Sequence, residues 1–117
     1  MTHGELINAI ILEASQSGLA RLFKNQSGVA RHKGKNGNSY ITAYGVGPDG
    51  GGGHDMIGWL VGSGRFVSID AKVGRDKLSA SQEKWMAWVI AGGGVAGEAR
   101  SVDEAMRLMR GEDDGEA

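Results

Sequence analysis

A chain of 117 residues, 40% hydrophobic and 23% charged, is long enough for one domain around one modest core and leaves little surface for a second, independent function. The absence of cysteine excludes disulfides, thiolate zinc sites and cysteine nucleophiles, and no uninterrupted apolar run approaches the length that spans a bilayer. The formal charge of −1 hides an asymmetry. No acid stands between Glu13 and Asp49, whereas Arg21, Lys24, Arg31, Lys33 and Lys35 do, with His32, and Glu112, Asp113, Asp114 and Glu116 crowd the end. Without residues 111–117, 13 basic side chains face 10 acidic ones and the balance becomes +3. Such a localised patch suits a nucleic-acid binder, and charge alone fits a solvated basic loop equally well. The N-terminus has no basic segment followed by a long apolar core, so a soluble protein of the cytoplasm is expected.

In chain order, residues 5–17 place Leu6, Ile7, Ile10, Ile11 and Ala14 at helical spacing, with Thr2 and Glu5 in capping-box positions and Gly18 as the stop. Leu19 to Lys24 reads as a short strand. Residues 25–39 are polar, glycine-containing and basic, which predicts a mobile loop that contacts DNA. Tyr40 to Val46 reads as a short extra strand between flexible flanks. Gly50 to Gly53, after Pro48 and Asp49, hold no fixed shape by themselves. No P-loop lysine and serine follow them, so the run is a flexible approach to Asp55 and not a nucleotide cradle.

Asp55 to Lys72 reads as two strands joined at Gly62-Ser63-Gly64. Alternation from Phe66 to Val73 puts Asp70 and Lys72 on one face, about 7 Å apart. A register in which opposed residue numbers add to 127 sets Asp55 against Lys72 and Ile57 against Asp70, through a two-residue turn at Ser63-Gly64 or its four-residue equivalent. A slip of one would move Asp55 to the other face. Ser79 to Gln82 has capping-box form, and the helix it opens runs to about Ala91, before Gly92 to Gly94. Its Trp85, Trp88 and Val89 form a stripe read as core. Val95 to Arg100 is a last strand, and Ser101 to Glu104 opens a helix to about Arg110. The expected architecture is α/β (an α+β mixed sheet flanked by helices), one domain over 1–110 with an acidic disordered tail at 111–117.

Asp55, Asp70 and the main-chain carbonyl of Ala71 make a hard-oxygen site suited to Mg²⁺ or Mn²⁺. Lys72 beside them can orient a water and stabilise developing phosphate charge. An Asp and a Lys alternating on a strand also describe a solvated face with a weak ion pair, and Asp55 after glycines also describes a turn end. His3, His32 and His54 have no ligand spacing. His54 is read as a turn residue, with phosphate contact as the alternative.

The text GGGGHDMIG, then SIDAKVGRDKLSASQEKW, then AGGGVAGEARSVDEA resembles the VRR-NUC branch of the restriction-endonuclease-like PD-(D/E)XK superfamily, small nucleases related to Holliday junction resolvases. The likeness runs from about Glu5 to Met109, and Asn25-Gln26-Ser27-Gly28 matches a further stretch with Lys24 in place of arginine. His54 stands where that pattern has proline, and Asp70 where it commonly has glutamate. The resemblance implies a restriction-endonuclease-like core, α-β-β-β-α-β, with an extra C-terminal helix. It also implies a Mg²⁺- or Mn²⁺-dependent endodeoxyribonuclease acting on branched or structured DNA, in a bacterial or phage-infected cell. Asp55, Asp70 and Ala71 would hold the metal, with Glu5, or less favourably Glu13, as the helical acid. Lys72 would serve the water, and Gln82 would face the site or merely cap its helix. Lys24, Arg31, Lys33 and Lys35 would meet DNA. The resemblance raises the expectation of a two-fold homodimer, which Tyr40 to Val46 would support by pairing or exchanging with another chain. A DNA binder that does not cut and a phage structural or adaptor protein are the readings from other classes.

Overall fold

Thr2 sets where the first helix begins. In a computed structural model, which describes residues 1–26, 28–48 and 52–112, its hydroxyl accepts from the Glu5 amide at 3.1 Å while Glu5 accepts from the Thr2 amide at 2.7 Å. The capping box is complete, and α1 (His3–Gln16) buries Leu6, Ile7, Ile10 and Ala14 as their spacing requires. The chain continues through β1 (Ala20–Lys24), β2 (Gly28–Lys33), β3 (Ser39–Tyr44), β4 (Met56–Leu60), β5 (Phe66–Ala71), α2 (Ala80–Ala91), β6 (Val95–Ala99) and α3 (Val102–Arg110). Among the described residues no helix is long and apolar enough to cross a membrane.

The fold is α+β. A mixed four-stranded sheet has the order β1-β4-β5-β6, antiparallel except for the parallel β5–β6 pair that α2 connects, and β2 and β3 form a hairpin of their own. One sheet face carries Ala20, Leu22, Met56, Val67, Ile69 and Ala71 into a core with α1 and with Ala105, Met106 and Met109 of α3. The other face of β5 carries Ser68 and Asp70 towards α2. Burial of large apolar surface is therefore concentrated on one side, which leaves polar strand positions on the other side free for chemistry.

The hairpin of β4 and β5 has a register different from the expected one. Opposed residues run Met56–Ile69, Ile57–Ser68, Gly58–Val67 and Trp59–Phe66, numbers that add to 125 and not 127. The loop is Val61 to Gly64, closed by Leu60 N–H donating to the Arg65 carbonyl and Gly64 N–H to the Leu60 carbonyl, both at 2.9 Å. Gly62 and Gly64 sit at φ 99° and 75°, where a side chain would be strained. A shift of two preserves facing. Asp55 falls in line with Asp70 instead of Lys72, and the two carboxylates still share a side.

Residues 25–39 are not one mobile loop. Gly28–Lys33 pairs along its whole length with Ser39–Tyr44, and a tip of residues 34–38 joins them, with Gly34 N–H donating to the Asn38 carbonyl at 2.6 Å. The Tyr40 to Val46 run therefore has a partner within its own chain and ends as a strand at Tyr44. The helix stripe also needs correction, because Val89 is buried and Trp85 half-buried while Trp88 is 51% exposed with the Lys84 ammonium over its ring. At the end, Gly111 and Glu112 belong to the C-cap of α3, Glu112 N–H donating to the Arg107 carbonyl at 2.9 Å. The rest of the expected tail, 113–117, and part of the glycine run, 50–51, lie outside the described residues.

Candidate functional site

Asp55, Asp70, Lys72 and Gln82 meet at the end of the β4–β5 hairpin. Asp70 is 1% exposed, on the α2 side of β5, and its Oδ1 accepts from the Asp55 amide at 3.0 Å and from Gln82 Nε2 at 3.3 Å. Its Oδ2 lies 2.9 Å from the Lys72 ammonium and accepts no hydrogen bond of good geometry. Burial pushes the Asp70 carboxyl above the usual carboxylate range; Lys72 partly offsets this and the Asp55 charge adds to it. Asp55 is a quarter exposed, and its Oδ2 accepts from the Ala71 amide at 2.9 Å. Each aspartate thus accepts a bond from the strand that carries the other, which locks the register at the site end of the hairpin.

Gln82 does both things the sequence allowed. Its Oε1 accepts from the Ser79 amide at 3.0 Å, completing the cap of α2, and also from Lys72 Nζ at 3.1 Å, while Nε2 reaches Asp70. One amide therefore fixes a helix start, a carboxylate and an ammonium together. Beneath it lies a buried polar chain that sequence reasoning missed. Trp85 Nε1–H donates to Ser68 Oγ at 2.8 Å, Ser68 stands 3.0 Å from His54 Nδ1, and His54 Nε2 stands 3.2 Å from the Gln82 carbonyl. A carbonyl only accepts, so His54 Nε2 carries a proton and donates it to the Gln82 carbonyl. His54, 1% exposed, is thus a buried anchor for the backbone of Gln82 and not a turn residue.

Asn25 is a second missed residue, placed by the sequence in the loop. Its Nδ2 donates to the carbonyls of Val46 and His54 at 2.7 and 3.0 Å, its Oδ1 accepts from the Val46 amide at 3.0 Å, and its own amide donates to the Asp55 carbonyl at 2.8 Å. It ties the start of β4 to the end of β1 and so helps set where Asp55 stands. The asparagine in the Asn25 to Gly28 motif was the available signal.

Glu5 is spent on its cap. Its carboxyl is held below the usual range by the Thr2 amide, and it is fully exposed. Glu13 is exposed further along α1. The α1 side chain that touches the site is His3, whose Nε2 lies 3.0 Å from Asp55 Oδ2 and 3.0 Å from the Ala71 carbonyl oxygen. Of the expected DNA contacts, Lys24 is exposed at the end of β1, opposite Met56, while Arg31 and Lys33 are exposed on β2 and Lys35 at the ribbon tip.

The donors suit a hard divalent cation: two carboxylates, one of them with a buried oxygen that accepts no hydrogen bond, and a main-chain carbonyl. Among the described residues no three His, Cys, Asp or Glu side chains form a ready ligand group, so a main-chain oxygen is part of any such site. A cleft of about 450 Å³ between Leu6, Lys72, Arg100 and Val102 opens beside it. The sequence matches no protein-family model and no curated protein.

Proposed function

We propose that the chain is a Mg²⁺- or Mn²⁺-dependent endodeoxyribonuclease that hydrolyses phosphodiester bonds in branched or structured DNA, with a restriction-endonuclease-like core. The observation that carries this reading is the buried Asp70 carboxylate, aligned with Asp55, paired with Lys72 and held by Gln82. A buried aspartate whose carboxyl is pushed above the usual range by burial, with one oxygen accepting no hydrogen bond, is not what a solvated strand face contains. The order of elements supports it further: helix, hairpin bearing the acids, capped helix bearing the glutamine, and a parallel strand.

Asp55, Asp70 and the Ala71 carbonyl would hold the metal, which when bound lowers the pKa of a water and neutralises charge on the phosphate. Lys72 donates to Gln82 Oε1, stands 2.9 Å from Asp70 Oδ2 as an ion pair, and has further protons to give to a water or a phosphate oxygen. Arg31 and Lys33 share a ribbon face with Val29 and Ile41, with Lys35 at the tip, a shape and charge that fit a DNA groove. The proposed working unit is a two-fold homodimer, since one chain carries one site and a junction presents two equivalent strands.

The test is cleavage of labelled duplex, flap and four-way DNA by the full chain with Mg²⁺, Mn²⁺ or EDTA. Cleavage that needs the metal, and favours the branched forms, is expected. Binding without cleavage under every metal condition would leave a DNA-binding protein and end the nuclease reading.

A further inference from the structure

We infer that the open face of β1 and β4 is a stacking platform for unpaired bases, so that the DNA taken by the site carries a single-stranded segment beside the bond to be cut. The placement of that segment next to the acids rests on the nuclease reading above, whereas the stacking itself does not. α2 packs over β5 and β6, and no helix packs substantially on the same side of β4 and β1. Alternation and register put Arg21 and Phe23 of β1, Ile57 and Trp59 of β4 and Phe66 of β5 on that side. Phe23 is 53% and Trp59 45% exposed, with ring centres 5.6 Å apart. Phe66 lies directly opposite Trp59 and meets the Trp85 ring edge-on, the centres 6.4 Å apart. The rings thus form a row from β1 across to α2, wet on its outer side. So much exposed ring in one patch marks a contact surface.

Area, charge and position say what covers the row. Phe23, Trp59 and Phe66 together expose about 300 Å², well short of the roughly 800 Å² per partner that a stable protein interface buries. A stacked base needs no more than one ring face. The charge that β1 and β4 bring to the row is the exposed guanidinium of Arg21, opposite Trp59, and no acid of these strands stands on it before Asp55. Arg21 Nη1 donates to the Ser15 carbonyl at 3.2 Å, which leaves further N–H groups for a phosphate. Trp59 stands four residues from Asp55 on one strand and one side, about 13 Å, the length of about four stacked nucleotides. Bases offer their faces to a protein only outside the duplex stack. The row therefore suits a single strand that leaves a paired arm, as in a flap or an opened junction.

The test is run in EDTA, so that cleavage plays no part in it. Affinity of the full chain for a labelled oligothymidylate and for a duplex of equal length is read by fluorescence anisotropy. The proteins are wild type, the double variant Phe23→Ala/Trp59→Ala, Trp59→Leu, Trp59→Phe and Trp88→Ala, each checked for folding by thermal melting. Leu keeps apolar bulk without a ring, Phe keeps a ring, and Trp88 belongs to α2 with the Lys84 ammonium already over it. The double variant and Trp59→Leu should lose roughly 5- to 100-fold on the oligothymidylate and little on the duplex, while Trp59→Phe and Trp88→Ala stay within about threefold of wild type. Quenching of tryptophan fluorescence by oligothymidylate should persist in Trp88→Ala and shrink in Trp59→Phe. Unchanged oligothymidylate affinity in the double variant or in Trp59→Leu, or equal losses on both DNAs, would overturn the platform and leave the metal site as proposed. A double variant that sediments at half the wild-type mass with unaltered DNA affinity would overturn it too, by assigning the row to a second copy of the chain. A wild type that binds oligothymidylate through the row but cuts no DNA with either metal would keep the platform and end the nuclease reading.

Discussion

Among the described residues two antiparallel hairpins stand out, and almost everything about them differs except their strand pairing. β4–β5 lies inside the sheet, closed at one end by a loop with two glycines at positive φ and at the other by reciprocal bonds between Asp55 and the Asp70–Ala71 strand. β2–β3 packs substantially on no other element, and the molecule is correspondingly elongated, 59 × 31 × 27 Å. On one face of this ribbon His32 stacks on Tyr40 with ring centres 4.9 Å apart and Tyr44 lies over Gly28, both tyrosines staying about half exposed. The other face leaves Val29 and Ile41 exposed beside Arg31 and Lys33. A two-stranded hairpin alone is marginal in water, so the ribbon is the part suited to adapt to a partner, while the buried hairpin holds its groups with the accuracy that the proposed hydrolysis would need.

The largest effect expected from breaking the buried side of this comparison, short of removing one of the acids proposed to hold metal, is Lys72→Ala. It should lower the cleavage rate by about 10²–10⁴ while metal affinity is kept, because it removes the positioned ammonium and no metal donor. A normal rate in single-turnover assays would make Lys72 only a charge partner of the buried Asp70. Gln82→Ala comes next. Loss of the amide that orients Lys72 should cost about 10–100-fold in rate, and loss of the return bond to the Ser79 amide about 0.5–1 kcal/mol in stability by denaturant titration, since the Ser79 hydroxyl still caps the residue 82 amide. A variant that loses stability but no rate would reduce Gln82 to its capping role.

The ribbon should respond in the opposite manner. Neutralising Arg31, Lys33 and Lys35 together should flatten the salt dependence of DNA binding by up to about three phosphate contacts and leave the rate at saturating DNA nearly unchanged. An unaltered salt slope would place DNA elsewhere.

The smallest effect sharpens the electrostatics of the buried end. Asp70 has its folded pKa raised by burial, so between the unfolded and folded values the native chain binds more protons than the unfolded one. Stability of the metal-free wild type relative to Asp70→Asn should therefore fall as pH rises through the ordinary carboxylate range to the folded pKa, and then level off. Parallel pH profiles for the two proteins would show that Asp70 is not perturbed.

What the sequence disclosed follows the same division. The acids and Lys72 were legible because alternation on a strand fixes facing whatever the register, so the shift from 127 to 125 did no harm. The capping boxes at Thr2 and Ser79 were legible because both halves of each bond are local. Loop length was not, since Gly62-Ser63-Gly64 admits more than one closure. The ribbon was hidden because no core covers it and its alternation lacks a polar and an apolar side. Its turn signal, Asn36-Gly37, was present. His3 and His54 were illegible as site residues because each meets partners brought near only by the assembled sheet, and Asn25 was marked only by its motif.

The central claim is that Asp70 holds a metal that hydrolysis requires. Its most direct test is single-turnover cleavage of a four-way DNA junction in Mn²⁺ by wild type and Asp70→Asn, with folding and DNA affinity measured alongside. Removing one ligand charge while keeping the shape should abolish cleavage and leave folding and DNA binding nearly intact. Cleavage by Asp70→Asn at the wild-type rate would contradict the account.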